Sequence, residues 1–235
     1  MISFDVDRQR CDLPTEKVAS LLVESRSLWV AQTNTYVVAR ETGGPAVIID
    51  APPDIEAIVA LVASLDVAPV ALLVTHGHVD HAGAAGQVAS TYGITAYVHP
   101  DDDYLSLNPN QQIEALMGIR LADALTVPQF EPLADGQRVR LAGVDIDVIH
   151  TPGHTPGHVC FRVADEGVLF SGDQLFAGSI GRTDLPGGSY QQLMDSMVQK
   201  VLTLDDDVIV FPGHGPGTTV GRERRTNPFL QGLSP

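Results

Sequence analysis

Short apolar runs recur along the chain, each a few residues long. They cover residues 35–39, 46–49, 70–74, 95–98, 139–141, 144–149, 159–163, 168–170 and 208–211. Several are unbroken stretches of Val, Ile and Leu rather than apolar–polar alternations, which predicts strands covered on both faces. Between them lie segments with the helical period. In 54–64, Ile55, Ile58, Val59 and Val62 fall on one side, and Asp54 can accept from the first free amides of that helix. Residues 82–91, 111–121 and 190–202 read as further helices. The last carries an apolar stripe of Leu193, Met197, Val201 and Leu202, with Met194 and Met197 as core filling. Strands mixed with helices predict a layered α/β fold. No Ser/Gly linker or break in composition divides residues 1–235, so one domain is expected. No low-complexity tract or solenoid period is present, and only a weak two-fold rhythm relates the halves.

Composition narrows the function classes. Apolar residues make up 44% of the 235, enough for a large core and too many for a disordered chain. Lys plus Arg number 14 against 29 Asp plus Glu, a formal charge of −15. With no basic run, this excludes a broad electrostatic grip on nucleic acid or an anionic membrane. The only cysteines are Cys11 and Cys160, so no disulfide framework is expected and a reducing compartment is implied. Residues 1–14 lack the basic start and apolar run of a secretory signal. The longest apolar stretch, 67–74, is interrupted by Pro69 and falls far short of the ~20 residues of a membrane span. A soluble, cytoplasmic protein is the expectation.

The chemistry concentrates where strands end. The run at 71–74 leads into Thr75-His76-Gly77-His78-Val79-Asp80-His81, four ligand-type residues within six positions. Gly77 lets the backbone turn between two imidazoles. His76 and His78 can then face one position, while Asp80 and His81 face an adjacent one. Three later runs also close on Gly-containing turns with ionisable residues. His154 stands in Thr151-Pro152-Gly153-His154-Thr155-Pro156-Gly157-His158, Asp173 in Ser171-Gly172-Asp173, and His214 in Pro212-Gly213-His214-Gly215. Five histidines and two aspartates suit two metal ions with one carboxylate free to bridge them.

The pattern HxHxDH at 76–81, with His154, Asp173 and His214, resembles the metallo-β-lactamase-fold hydrolases over nearly the whole chain. Within them it is most similar to the glyoxalase II-like (hydroxyacylglutathione hydrolase-like) group. The pieces that say so are residues 151–158, Ser171-Gly172-Asp173-Gln174-Leu175-Phe176, Gly181-Arg182-Thr183-Asp184-Leu185-Pro186-Gly187-Gly188, and Gly221-Arg222-Glu223-Arg224-Arg225 with Asn227-Pro228. The resemblance implies a four-layer αββα sandwich with two divalent ions at one edge. Zinc is the expected metal, with iron or manganese as alternatives. It implies that His76, His78 and His154 hold the first ion, that Asp80, His81 and His214 hold the second, and that Asp173 bridges them. It further implies a thioester hydrolase acting on a small molecule, with Asp80 as both ligand and proton acceptor. Asp50 reads as a partner that orients a ligand, or as a turn cap. Arg182 reads either as a contact for a substrate carboxylate or as one half of an ion pair with Asp184. His99, His150 and His158 read as supporting residues, Asn34-Thr35-Tyr36 as structural, and Cys160 as an inert buried thiol. Asp101-Asp102-Asp103 and Asp205-Asp206-Asp207 read as solvated loops or caps.

Glyoxalase II enzymes add a C-terminal helical region that supplies basic residues for glutathione. This sequence runs 21 residues past His214 without one, and Pro216 and Asp184 stand where those enzymes carry aromatics. Three classes follow: a binuclear thioester hydrolase, a mononuclear iron persulfide dioxygenase, and a non-catalytic metal-binding module. A lactonase or β-lactamase is a runner-up among the hydrolases.

Overall fold

The computed structural model describes residues 20–121 and 124–233; Cys11 and the segment 1–14 lie outside them. Strands β1 (Leu22–Leu28), β2 (Thr33–Ala39), β3 (Pro45–Ile49), β4 (Ala68–Leu73), β5 (Thr95–Val98) and β6 (Phe130–Pro132) form one sheet in chain order. The second sheet also has six strands: β7 (Arg138–Leu141), β8 (Val144–His150), β9 (Val159–Val163), β10 (Val168–Gly172), β13 (Ile209–Pro212) and β14 (Thr218–Thr219), in the order 14-13-10-9-8-7. A small hairpin, β11 (Leu175–Phe176) with β12 (Ser179–Ile180), stands beside it. The weak two-fold rhythm of the sequence is these two sheets.

Unbroken apolar strands are explained by their having two apolar neighbours. Tyr36, Val38, Val47, Ile49 and Leu73 of the first sheet meet Val148, Phe161, Val168, Phe170 and Phe211 of the second in a central core. The alternate residues, Val37, Ile48 and Leu72, face outward onto Ile58, Leu61 and Val62 of helix α1 (Ile55–Ser64) and onto Val88. On the far side Cys160, Leu169 and Val210 pack beneath Leu193, Met194, Met197 and Val201. Each such side chain taken from water contributes about 1.5–3 kcal/mol. The result is the expected αββα sandwich.

Helix boundaries differ from the periodicity. Asp54 caps α1, accepting from the Ala57 amide at 3.2 Å, but Leu61 is buried where Val59 was expected. The helix expected at 82–91 is two pieces, α2 (Val79–Ala82) and α3 (Ala85–Tyr92). Gly83 allows the break, since a Cβ there would lie 2.4 Å from the Val79 carbonyl. After α4 (Asp103–Ser106), the helix expected at 111–121 is α5 (Pro109–Met117), ended by Gly118 at φ +67°. Helix α6 (Tyr190–Ser196) widens into a π-turn over Met197–Val201, which keeps the predicted stripe buried, and α7 (Val220–Thr226) follows. Strands β1, β6, β11, β12 and β14 had no signal; β1, LVESRSL, is mostly exposed and polar. Among the described residues no helix is long and apolar enough to cross a membrane.

Candidate metal centre

The C-terminal ends of β3, β4, β8, β10 and β13 meet at one edge of the sandwich, bringing Asp50, the 76–81 loop, His154, Asp173 and His214 together. His78 Nδ1 lies 2.9 Å from His154 Nε2, which is 3.2 Å from His76 Nε2. His81 Nε2 lies 3.3 Å from His214 Nε2 and 3.5 Å from Asp80 Oδ2, and His214 Nε2 lies 3.3 Å from the same oxygen. Asp173 stands between the groups: Oδ1 is 3.4 Å from His81 Nε2, and Oδ2 is 3.4 Å from His154 Nε2 and 3.6 Å from His214 Nε2. The trios His76–His78–His154 and Asp80–His81–His214 each offer ligand atoms within 4.8 Å of one another, as do His76, His81 and Asp173.

Hydrogen bonds on the outer side of four rings fix which nitrogens face inward. His154 Nδ1 donates to the Arg182 carbonyl at 2.7 Å, and His214 Nδ1 to the Gln32 carbonyl at 3.3 Å. His81 Nδ1 donates to Asp50 Oδ2 at 2.8 Å. The Thr75 hydroxyl donates to that same carboxylate, so its lone pairs are left to accept from His76 Nδ1 at 3.0 Å. Each of these bonds, with its tautomer assigned from its partner, turns Nε2 toward the centre. The His76 and His154 Nε2 atoms face one another at 3.2 Å with no proton between them, and buried Asp173 Oδ1 has no hydrogen-bond partner. Such an arrangement is repulsive alone and is satisfied by cations between the donors, so the residues fit divalent metal.

Electrostatics agree. Burial, helped by neighbouring imidazoles, holds His76 well below its ordinary value and brings His78 down to about 3, so both stay neutral. Burial works against ionisation of Asp80, but His81 and His214 outweigh it and keep the carboxylate ionised. Burial also opposes charge on His81, yet Asp80, Asp173 and Asp50 raise it to about 10 in the metal-free chain.

Of its two readings, Asp50 makes the contact that ligand orientation requires, on His81 Nδ1. It sits at φ +60° and also accepts from the Thr75 amide. Asn34 and Tyr36 support the His214 loop, through bonds to the carbonyls of Pro212 and Gly215. His158 Nε2 accepts the Asp173 amide at 3.0 Å and its Nδ1 donates to Thr151, so it fixes the backbone of Asp173 without entering the centre. His99 and His150 stack at 4.2 Å with planes 8° apart. Parallel rings cannot aim lone pairs at a common ion, so the further group His99–Asp101–His150 is a poor metal site. The Arg182 guanidinium makes a two-bond pair with Asp184, at 2.7 and 2.8 Å, on the exposed surface. Burial pushes the Cys160 thiol up to about 12, consistent with an inert side chain.

One expectation is corrected. Asp101 and Asp103 are exposed, but Asp102 is fully buried with three hydrogen bonds. Its sequence signal is only that of an acidic run, and the donors that pay for its burial come from loops far away in the chain. Thr33 and Gln32, which bond Asp80 and His214, also carried no signal.

A family model described as the metallo-beta-lactamase superfamily matches residues 28–214. The chain belongs to the metallo-beta-lactamase superfamily. At this level it is a metallo-hydrolase. Hydroxyacylglutathione hydrolase GloC of Haemophilus influenzae is 39% identical over 189 residues, covering 80% of this superfamily member and 89% of GloC. The crystal structure of the BLEG-1 B3 metallo-beta-lactamase superposes with a TM-score of 0.83 at 38% identity, covering 90% of this chain and 100% of its own. That of TTHA1623 in a di-iron-bound form gives 0.78 at 40% identity, covering 88% and 100%.

Proposed function

We propose that this metallo-hydrolase cleaves a thioester of the S-acylglutathione type at a binuclear centre. The observation that carries the reading is the pair of ligand trios sharing Asp173, with imidazole lone pairs directed between them. His76, His78 and His154 would hold one divalent ion, Asp80, His81 and His214 the other, with Asp173 between them; zinc, iron and manganese all suit imidazole and carboxylate donors. When bound, such a pair supplies an ionised water near neutral pH and polarises the substrate carbonyl.

The chain's own residues do the rest. Neutral His76 and His78 keep donor atoms free of protons across the neutral range. Asp80 is only partly buried, and Thr33 Oγ1 donates to its Oδ2 at 3.1 Å. It is placed to receive the attacking water's proton and release it quickly, because its low pKa prevents retention. A thiolate leaving group needs little help, a thiol having a pKa of about 8.5. Arg182 would meet a substrate carboxylate by exchanging Asp184 for it, since an exposed ion pair contributes little. The likeness to GloC favours the glutathione thioester.

The test is metal analysis of the purified chain beside assays on S-lactoylglutathione, other acyl thioesters, a lactone, a β-lactam and glutathione persulfide. Two ions per chain with thioester turnover are expected. One iron with oxygen uptake on the persulfide, turnover of the lactone or β-lactam alone, or an inert fully metallated protein would each overturn the reading.

A further inference from the structure

We propose that Asp102 is a positioning residue for one of the two ligand trios, His76–His78–His154, and not for the other. The inference rests on the binuclear reading above.

Asp102 ends a short turn, Pro100–Asp102, after β5, and its side chain has no exposure to solvent. Its Oδ2 accepts the Gly77 amide at 2.8 Å and the Thr155 hydroxyl at 2.7 Å. Its Oδ1 accepts the Gly157 amide at 2.7 Å. Gly77 lies between His76 and His78, and Thr155 follows His154. One carboxylate therefore ties together the loop that leaves β4 in the first sheet and the loop that leaves β8 in the second. The fit is close. A Cβ at Gly77 would lie 2.8 Å from the Asp102 carbonyl oxygen, and one at Gly157 would lie 2.6 Å from the Asp102 amide. Glycine at both positions is what lets the two loops reach the carboxylate.

The second trio is held by other groups. Asp80 accepts from Thr33, His81 donates to Asp50 and His214 donates to the Gln32 carbonyl. None of these is bonded to Asp102. Three donors converging on two oxygens require a carboxylate: an amide would replace one acceptor with a donor and set two donors face to face.

The test is calorimetric measurement of zinc binding to the metal-free full chain. Two ions should bind the unaltered protein. Asp102→Asn should weaken one of them by about 10–100-fold and leave the other unchanged. The weakened ion should be the one lost in His154→Ala, not the one lost in His214→Ala. Thr155→Val removes one of the three bonds and should weaken the same ion less, which keeps the test alive should Asp102→Asn not fold. A purely structural role would weaken both ions alike. Equal weakening of both ions, or none, would overturn the proposal. Fewer than two ions on the unaltered protein would instead overturn the binuclear reading.

Discussion

Among the described residues, Asp173 is the one carboxylate within 3.6 Å of imidazoles from both trios, through His154 on one side and His81 and His214 on the other. Replacing it with Ala removes the shared ligand and leaves facing lone pairs unscreened. Asp173→Ala should lose metal from both trios and more than about 100-fold of turnover, read by elemental analysis and kinetics on one sample. Turnover at the original level would mean that the bridge is assigned wrongly. Asp50 permits a cleaner experiment. Its φ of +60° suits Asn as well as Asp, so Asp50→Asn preserves the backbone while taking an acceptor from the Thr75 and His81 bonds. Metal affinity should fall by about 10–100-fold in competition with a chelating dye. Unchanged affinity would return Asp50 to a local turn role.

Helix α6 and the hairpin before it carry no ligand, yet both bear on the ligand loops. Gln174 donates to the Leu193 carbonyl, and Ser196 to the Pro152 carbonyl. Gly153, at φ +143°, passes so near α6 that a Cβ would lie 2.1 Å from the Leu193 amide nitrogen. The hairpin β11–β12 ends at Gly181, where a Cβ would lie 1.8 Å from the Asp173 carbonyl and 3.3 Å from His154 Nδ1. Gly181→Ala must therefore shift the segment whose next carbonyl, that of Arg182, orients His154. A loss of about 1–3 kcal/mol of stability is expected from denaturant unfolding, with metal lost alongside. A variant that kept its metal and its stability would show that the loop yields without moving His154.

The whole metal-free chain carries its ligands' protons as a stability term. His78, brought down to about 3 by burial and His154, refuses a proton that the unfolded chain accepts near 6.5. Burial lowers His76 and His158 as well. Their contribution is therefore present above about pH 6.5 and is lost as the pH falls toward 3. His81 behaves in the opposite way. Despite its burial it is raised to about 10 by Asp80, Asp173 and Asp50, so its contribution is present below 6.5 and is lost as the pH rises through 10. Melting temperatures of the metal-free protein at pH 5, 6.5 and 9 should peak at the middle value. A steady rise through pH 9 would show that His81 is not charged in the folded state.

Much of the candidate metal centre is legible in residues 76–81, where four ligand-type side chains fall on one loop after an apolar strand, and in the His and Asp residues that follow three later strands, among which the resemblance singled out His154, Asp173 and His214. Ligand chemistry uses few residue types, and a strand end places them at a predictable edge, so type and spacing mark the site while the resemblance chooses among its histidines. The two-faced strands are legible for a similar reason, because burial on both sides leaves an unbroken apolar run. What the chain order could not convey is how distant loops complete one another. Asp102 looks like its solvated neighbours until Gly77, Thr155 and Gly157 bring donors from 25, 53 and 55 residues away. The bond from His81 to Asp50, the groups that set each imidazole tautomer, and the break in the helix at Gly83 also arise from contacts between separate elements. Local periodicity carries no record of such contacts, and their energies exist only once the sheets have met.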